Sequence, residues 1–179
     1  MNFLSMMAGW LRRRDGSIAV EFALISIPFI YTTIAIMELS FYFAATNMLE
    51  GGVSAAARQI RTGQVQASVD VTPEEAFRAN LCDQLYVLVK CDDVQIEVVA
   101  MPDDEFSSVD DYQPQYDDDG NFVPRDFDAG GSGDVVMIRA YYRYQLLTPL
   151  FAQIFSNEPD ETVVMLSTVI IQSEPYEFD

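Results

Sequence analysis

The feature that most constrains this chain is an apolar stretch close to its N-terminus. The uncharged run from Phe22 to Met37 has 16 residues, and counting from Ser17 gives 21 residues with Glu21 as the one charge. A helix that crosses a bilayer needs about 20 predominantly apolar residues. The sequence therefore predicts a transmembrane helix over residues 17–38, with Glu21 inside the bilayer or at its edge.

Three consecutive arginines predict the orientation of this helix. Arg12, Arg13 and Arg14 precede the apolar stretch, and no basic residue follows it until Arg58. Because positive residues flanking a membrane helix stay on the cytoplasmic side, we expect a cytoplasmic N-terminus and an exported C-terminal domain. A cleaved secretory signal peptide also begins with basic and then apolar residues. The length of the apolar block and the presence of Glu21 within it favour an anchor instead.

The composition excludes several classes of function. The net charge is −18, from 28 acidic and 10 basic residues, and such a field repels nucleic acid. The chain has no histidine, which removes the commonest general base and the commonest metal ligand. We therefore predict that the protein is not an enzyme, carries no cofactor and does not bind nucleic acid.

The carboxylate of Glu21 would need a charged partner if it lies inside the bilayer. A carboxylate at the centre of a membrane helix costs about 2.5–3.5 kcal/mol on insertion scales, so such a group normally has a partner. The apolar stretch contains no lysine or arginine. The partner could be a new α-amino group produced by cleavage just before Ser17, or a basic group on a neighbouring subunit. The alternative is that Glu21 lies in the headgroup layer without a partner.

The residues around Gly16 resemble a known processing motif. A basic leader that ends in glycine, then four residues, a glutamate and an aromatic residue, is similar to the motif of type IV pilin-like proteins; here it spans residues 12–22. The run from Gly16 to Leu24, with Pro28 in the same segment, more closely resembles TadE-like proteins of the tight-adherence (Flp) pilus system. The later run at 56–64 and the pair of cysteines also resemble that family as it occurs in alphaproteobacteria.

This resemblance implies a specific maturation and role. A membrane prepilin peptidase would cut after Gly16, so that Ser17 becomes the N-terminus and Glu21, followed by Phe22, becomes the fifth residue. Glu21 would then meet the N-terminal amine of a neighbour. The protein would be a pilin-like (pseudopilin) subunit for assembly of a tight-adherence or type IV-like pilus. Both the TadE and the TadF types fit this description.

The resemblance also implies partners and a location. The partners would be the prepilin peptidase, other pilin-like subunits, the inner-membrane pilus assembly machinery and the membrane itself. The location would be the bacterial inner membrane, with a single pass and a periplasmic C-terminal domain. The alternative function is an unprocessed single-pass periplasmic adaptor whose acidic domain binds a partner protein or calcium.

Beyond the membrane segment, the apolar spacing predicts a helix extension over residues 39–63. Gly63 would cap this helix, and Gly51-Gly52 would mark a bend or a close helix contact. A second helix is predicted to begin with Thr72 as its cap, Pro73 at the first helical position and a capping box closed by Glu75. We expect this second helix to end near residue 88.

The two cysteines, Cys82 and Cys91, are predicted to form a disulfide. Under the predicted topology both lie on the exported side, where the compartment is oxidising. Their spacing is not the C-x-x-C of redox proteins, which favours a structural role. Two cysteines alone cannot make a four-thiolate metal site.

Three strand-like runs predict a sheet. They span Val94–Ala100, Asp134–Tyr144 and Thr162–Gln172, and they are rich in β-branched and aromatic residues. We predict an α+β fold, in which the membrane helix leads into an exported acidic domain at 64–179. This domain would hold an antiparallel sheet of three or more strands, with helix on one face and a short packing helix between Leu146 and Phe155.

An acidic segment at 102–133 separates the first two strands. Its prolines, glycines and charges predict a flexible, solvated surface loop that is available to a partner. Asp117, Asp119 and Asn121 are weak candidates for calcium ligands. The glycine and glutamate positions of an EF-hand loop are not matched, so we predict no metal.

Overall fold

The computed structural model describes residues 17–101, 111–148, 152, 153, 155, 156 and 161–176. The leader predicted at 1–16 and the first part of the acidic loop lie outside these residues. The chain divides between Leu39 and Ser40 into two compact units. The fold class is the predicted one: a long apolar N-terminal helix, a small three-stranded antiparallel sheet and a short helix.

Helix α1 runs from Ser17 to Arg61 and has 45 residues. In the part of the chain that the structure describes, α1 is the one helix long and apolar enough to cross a membrane. It ends two residues before the predicted bound at 63, with Gly63 as the predicted cap. Gly63 has a φ of +76°, its N–H donates to the carbonyl of Ile60 at 3.0 Å, and the next N–H donates to Gln59 at 2.9 Å. Glycine adopts this left-handed conformation without steric cost, so it satisfies the last carbonyls of the helix.

The C-terminal tail returns to this end of α1. The N–H of Glu174 donates to the carbonyl of Arg61 at 2.8 Å, and the two side chains form an ion pair at 3.2 Å. A Cβ on Gly63 would lie 2.9 Å from the ring of Tyr176. Glycine is therefore needed at position 63 for its conformation and also for the room it leaves to the tail.

Helix α2 runs from Pro73 to Cys82. Its start is confirmed, because the N–H of Glu75 donates to Thr72 Oγ1 at 3.2 Å and the N–H of Thr72 donates back to Glu75 Oε2 at 2.9 Å. The predicted end near Leu88 is wrong. The N–H of Leu85 donates to the carbonyl of Cys82 at 3.1 Å, which closes a tighter turn than an α-helix.

The sheet consists of β1 (Gln95–Met101), β2 (Val135–Gln145) and β3 (Thr162–Gln172). All three predicted strands are confirmed, with a shift of one residue in β1 and β2. Their order is β1-β2-β3, and both pairings are antiparallel. Of the packing helix expected between Leu146 and Phe155, residues 152, 153 and 155 are helical, and the other residues of its middle lie outside the described ranges.

The core forms where α1 and α2 cover one face of the sheet. Apolar residues of α1 pack with those of the strands in one buried cluster, which includes Leu49, Val53, Ile60, Phe77, Leu81, Val98, Val136, Ile138 and Ala140. Gly52 lies at the contact between the helices, since a Cβ there would be 3.2 Å from Leu81 Cδ1. Gly52 thus marks a close helix contact, the second of the two roles predicted for the glycine pair, whereas a Cβ on Gly51 would have nothing within 4 Å.

Candidate functional site

The predicted processing residues lie at the start of α1. Ser17 is the first described residue and the first residue of the helix, whereas Gly16 and the three arginines lie outside the described residues. Positions 17 and 21 are one turn apart, a rise of about 6 Å, so they share one side of the helix. Glu21 and Phe22 are both exposed. The helix therefore presents the carboxylate outward, next to the backbone nitrogen that a cut after Gly16 would turn into an amine.

The first unit exposes apolar side chains around its whole circumference. Large side chains on every side of the helix are between 37% and 77% exposed: Ile18, Val20, Phe22, Leu24, Ile25, Ile27, Phe29, Ile30, Ile34, Ile36, Met37 and Leu39. A continuous apolar surface of this kind marks an interaction with a membrane or with other apolar surfaces. This is the surface through which the segment can contact lipid and neighbouring helices.

Three hydroxyl groups of this segment are satisfied by the helix itself. Thr32 Oγ1 donates to the carbonyl of Pro28 at 2.7 Å, Thr33 Oγ1 to that of Phe29 at 2.9 Å, and Ser26 Oγ to that of Ala23 at 3.1 Å. Local bonds of this type let hydroxyl side chains enter an apolar medium at little cost. These three residues are thus compatible with a bilayer environment, whereas the hydroxyl of Tyr31 is buried without a hydrogen-bond partner.

In the second unit, Cys82 and Cys91 form the predicted disulfide, with their Cα atoms 5.4 Å apart. The bond joins the end of α2 to a short 3₁₀ turn, Cys91–Asp93, directly before β1. It closes the chain over the eight residues between the cysteines. This closure also explains the early end of α2, because a helix continued to Leu88 would have risen about 9 Å away from Cys82.

A buried ion cluster on the other face of the sheet was not predicted. Glu97 is completely buried and pairs with two cations. Arg139 Nη1 donates to Glu97 Oε2, and Arg125 Nη1 donates to Glu97 Oε1 at 2.8 Å. Arg139 also donates to the carbonyl of Tyr112 at 2.7 Å. Since Arg125 and Tyr112 belong to the acidic loop, the cluster fixes part of that loop on the sheet.

Aromatic residues fix the same loop at a second point. Phe122 is 2% exposed and stacks on Tyr141 of β2, with ring centroids 5.1 Å apart and planes 10° apart. Asp117, Asp118 and Asp119 are exposed, as expected for a solvated loop. The expectation is wrong for Phe122 and Arg125, which pack against the sheet because its second face also needs cover.

The weak calcium candidates form a hydrogen-bonded turn. The carboxylate of Asp117 accepts bonds from the N–H of Asp119 at 3.0 Å and from the N–H and side-chain amide of Asn121 at 2.7 and 2.9 Å. The Asn121 side chain and then its backbone N–H hold the pKa of Asp117 below its usual value. Asn121 thus turns its amide nitrogen, which is not a metal ligand, toward the carboxylate. Within the described ranges, no group of three or more acidic or sulfur side chains could hold a metal ion.

Comparison with known proteins finds a similarity in the first part of the chain. Residues 16–58 match the family model described as TadE-like protein. The resemblance predicted from the sequence is confirmed over this segment, which begins at Gly16 and covers most of α1. No curated protein and no solved structure matches the chain. A TadE-like segment indicates a role in tight-adherence pilus assembly, in association with the pilus machinery and a membrane.

Proposed function

Because residues 16–58 are TadE-like, we propose that this protein is a pilin-like (pseudopilin) subunit for assembly of a tight-adherence or type IV-like pilus. A prepilin peptidase matures it by cutting after Gly16. The observation that carries the proposal is the start of the family match, which falls on the residue before the proposed cut. From there the match continues into an exposed apolar helix.

Cleavage changes the charge at the cytoplasmic end of α1. The leader contains three arginines, and each would cost about 2.5–3.5 kcal/mol at the centre of a bilayer. These residues hold the helix in the membrane. After the cut, the remaining positive charge is the new amine of Ser17, and the carboxylate of Glu21 lies one turn away. Opposite charges of this kind neutralise each other between adjacent helices, so a mature subunit can leave the bilayer for a helical assembly.

The three arginines of the leader and the apolar helix that follows them also give the proposed topology. The N-terminus is cytoplasmic, α1 crosses the bacterial inner membrane once, and the second unit lies in the periplasm. The disulfide between Cys82 and Cys91 supports this assignment, since such bonds persist in oxidising compartments. The partners are then the peptidase, other pilin-like subunits and the assembly machinery of the inner membrane.

The mature N-terminus tests the proposal directly. Intact-mass measurement and N-terminal sequencing of the protein from the membrane fraction should give a chain that begins at Ser17. In cells without the peptidase, the chain should keep its leader. A chain that retains Arg12, Arg13 and Arg14 in the presence of an active peptidase would contradict the proposal and favour the unprocessed adaptor.

Substitution of the glycine before the cut should block maturation. A bulky residue does not fit where the peptidase needs a small one, so Gly16→Leu should accumulate the unprocessed form. The matched control is Gly9→Leu, which changes another glycine of the same leader. The control should mature normally, and normal maturation of Gly16→Leu would count against the proposed cut.

The role of Glu21 can be separated from insertion. Glu21→Ala removes a carboxylate from the apolar segment, so membrane insertion should be unchanged or improved while pilus assembly is lost. Glu50 is an exposed glutamate further along the same helix, and Glu50→Ala provides the control. If Glu21→Ala cells assemble pili as well as the control, the carboxylate does not pair with a neighbouring subunit.

A further inference from the structure

The loop closed by the disulfide has an unusual surface. It spans residues 83–90, and at its tip Tyr86 is 67% exposed and Val87 is 95% exposed. The flanking residues Leu85 and Val89 are buried and hold the loop on the domain. Tips of solvated loops usually carry polar residues. Here the chain holds an aromatic and an aliphatic side chain outward on a covalently closed loop.

This tip belongs to a larger apolar region next to the start of the second unit. Val87 and Leu88 line a cavity of about 880 Å³ together with Phe41 and Leu147. Leu147, from the segment after β2, is 68% exposed. Two separate loops and the helix therefore contribute apolar side chains to one region, and Phe41 lies two residues beyond Leu39.

A count along α1 places this region at the height of a bilayer surface. A spanning helix needs about 20 residues, and the twentieth residue counted from Phe22 is Phe41. The one charged side chain in that interval, Glu38, is 3% exposed. If Glu21 marks the inner edge of the hydrocarbon, then Phe41 marks the outer edge, and the residues around it lie at the level of the headgroups.

The charge in this region fits a lipid surface. Lys90, the only lysine of the chain, is exposed and lines the same cavity. Aromatic residues and lysines with apolar stems are typical of the membrane interface, where the ring or stem is buried and the polar end meets the headgroups. Asp92 and Asp93 also line the cavity, so zwitterionic phospholipid, with a phosphate for the lysine, is a better match than a strongly anionic surface.

We propose that the disulfide-closed loop and Leu147 form an interfacial anchor that enters the outer headgroup layer of the membrane spanned by α1. Tyr86, Val87 and Leu147 insert, and Lys90 contacts lipid phosphate. The proposal rests on the spanning helix of the proposed function and is independent of leader cleavage. A subunit in the membrane would be held at two points, and its extraction into a pilus would require withdrawal of this loop.

Tryptophan fluorescence of the full-length protein in phosphatidylcholine vesicles tests this anchor. The only native tryptophan is removed by Trp10→Phe, and one new tryptophan is introduced by Val87→Trp or, in a second variant, by Leu147→Trp. Val69 provides the matched control, because it is 96% exposed and lies beyond the far end of α1. Vesicles that contain phospholipid brominated near the top of the acyl chain report insertion through loss of fluorescence.

We expect Val87→Trp and Leu147→Trp to show blue-shifted emission and strong quenching by the brominated lipid. Val69→Trp should show neither. Quenching of the two probes no greater than that of the control would overturn the proposal. A blue shift without lipid quenching would also overturn it, because it would mean that the loop contacts protein rather than lipid.

A third probe separates failure of this inference from failure of the proposed topology. Phe29→Trp lies in the middle of the apolar segment, where the native side chain is 69% exposed. Lipid brominated deep in the acyl chain should quench it. If Phe29→Trp is quenched and the loop probes are not, the interfacial anchor alone is wrong. If Phe29→Trp is not quenched, α1 does not span the bilayer, and the proposed topology fails as well.

Discussion

The two parts of α1, residues 17–39 and 40–61, lie in one continuous helix but use their apolar residues in opposite ways. The first part exposes apolar side chains on every side. The second part buries one stripe, at Ala45, Leu49, Val53, Ala56, Ala57 and Ile60, and leaves polar residues such as Asn47, Glu50, Ser54 and Arg58 exposed. Three- and four-residue spacing of this kind is typical of a helix on a protein core, whereas an all-round apolar surface is typical of a membrane span. The distribution of apolar residues around the helix therefore separates the two environments.

The largest test of this comparison places a charge in each part. Ile60→Arg introduces an arginine at a completely buried position, and we expect a loss of more than about 4 kcal/mol in the free energy of unfolding, enough to unfold the second unit. Ile27→Arg changes an exposed isoleucine in the apolar segment. It should leave the second unit folded and reduce membrane insertion. Limited proteolysis and carbonate extraction measure the two outcomes. If the two variants reduced folding of the second unit equally, the two parts of α1 would not lie in different environments.

A matched pair of leucines gives the next largest effect. Leu49 is 1% exposed and Leu24 is 67% exposed. Leu49→Ala leaves a cavity in the core and should cost about 2–5 kcal/mol in denaturant unfolding of the protein in micelles. Leu24→Ala should leave the same unfolding transition unchanged, because the second unit does not contain that residue. A shift of similar size in both variants would contradict the assignment of the two environments.

Two adjacent glycines sharpen the comparison within the second part. A Cβ added to Gly51 would have nothing within 4 Å, whereas one added to Gly52 would meet Leu81 and Leu85 at 3.2 and 3.3 Å. Gly51→Ala should raise the free energy of unfolding by about 0.5–1 kcal/mol through reduced chain entropy. Gly52→Ala should raise the free energy of unfolding by less, or lower it, because the side chains of α2 and of the turn after it must move. Thermal unfolding of both variants decides this, and an equal gain would mean that the helix contact is loose.

The smallest expected effect concerns acid. Bonds from the Thr72 backbone and then its side chain lower the pKa of Glu75 from 4.5, and bonds from Asn121 lower the pKa of Asp117 from 3.8. A lowered pKa in the folded state means stability that is present above the ordinary value and is lost as the pH falls through the folded value. Acid below the ordinary pKa values of these two carboxyls should therefore slightly lower the stability of the second unit. NMR titration should place both carboxyls below their usual range, and Thr72→Ala should raise the pKa of Glu75 without moving that of Asp117.

Local patterns predicted most of the fold. The strands were predictable because alternating and β-branched residues identify each run without reference to the rest of the chain. The start of α2 was predictable because Thr72, Pro73 and Glu75 carry the whole capping box. The end of α2 was not, since Leu85 and Val89 continue the helical spacing although they pack from a turn closed by the disulfide.

Long-range pairs account for what the sequence did not reveal. Glu97 and Arg139 are directly opposite each other in the register of β1 and β2, and only that register makes a buried ion pair out of two residues that look solvent-facing. Phe122 is one of five aromatic residues in the acidic segment 102–133, and nothing in the local sequence distinguishes it as the one that stacks on Tyr141. The one available signal was a charged residue in the middle of each of the two strands. Gly16 and Glu21 stay predictions of the motif, while the disulfide-closed loop had no motif to mark it.

The contacts between the C-terminal tail and the end of α1 determine when an exported chain could complete its fold. Glu174 and Tyr176 are among the last residues of the chain, yet they contact Arg61 and Gly63. A chain that leaves the cytoplasm from its membrane helix onward must expose the buried stripe of that helix until β2, β3 and the tail have followed. Under the proposed topology, the domain would therefore complete its fold only after β2, β3 and Tyr176 had crossed the membrane. Under the proposed periplasmic topology, that interval would expose the chain to chaperones and proteases, and a truncation within β3 would make the exposed state permanent.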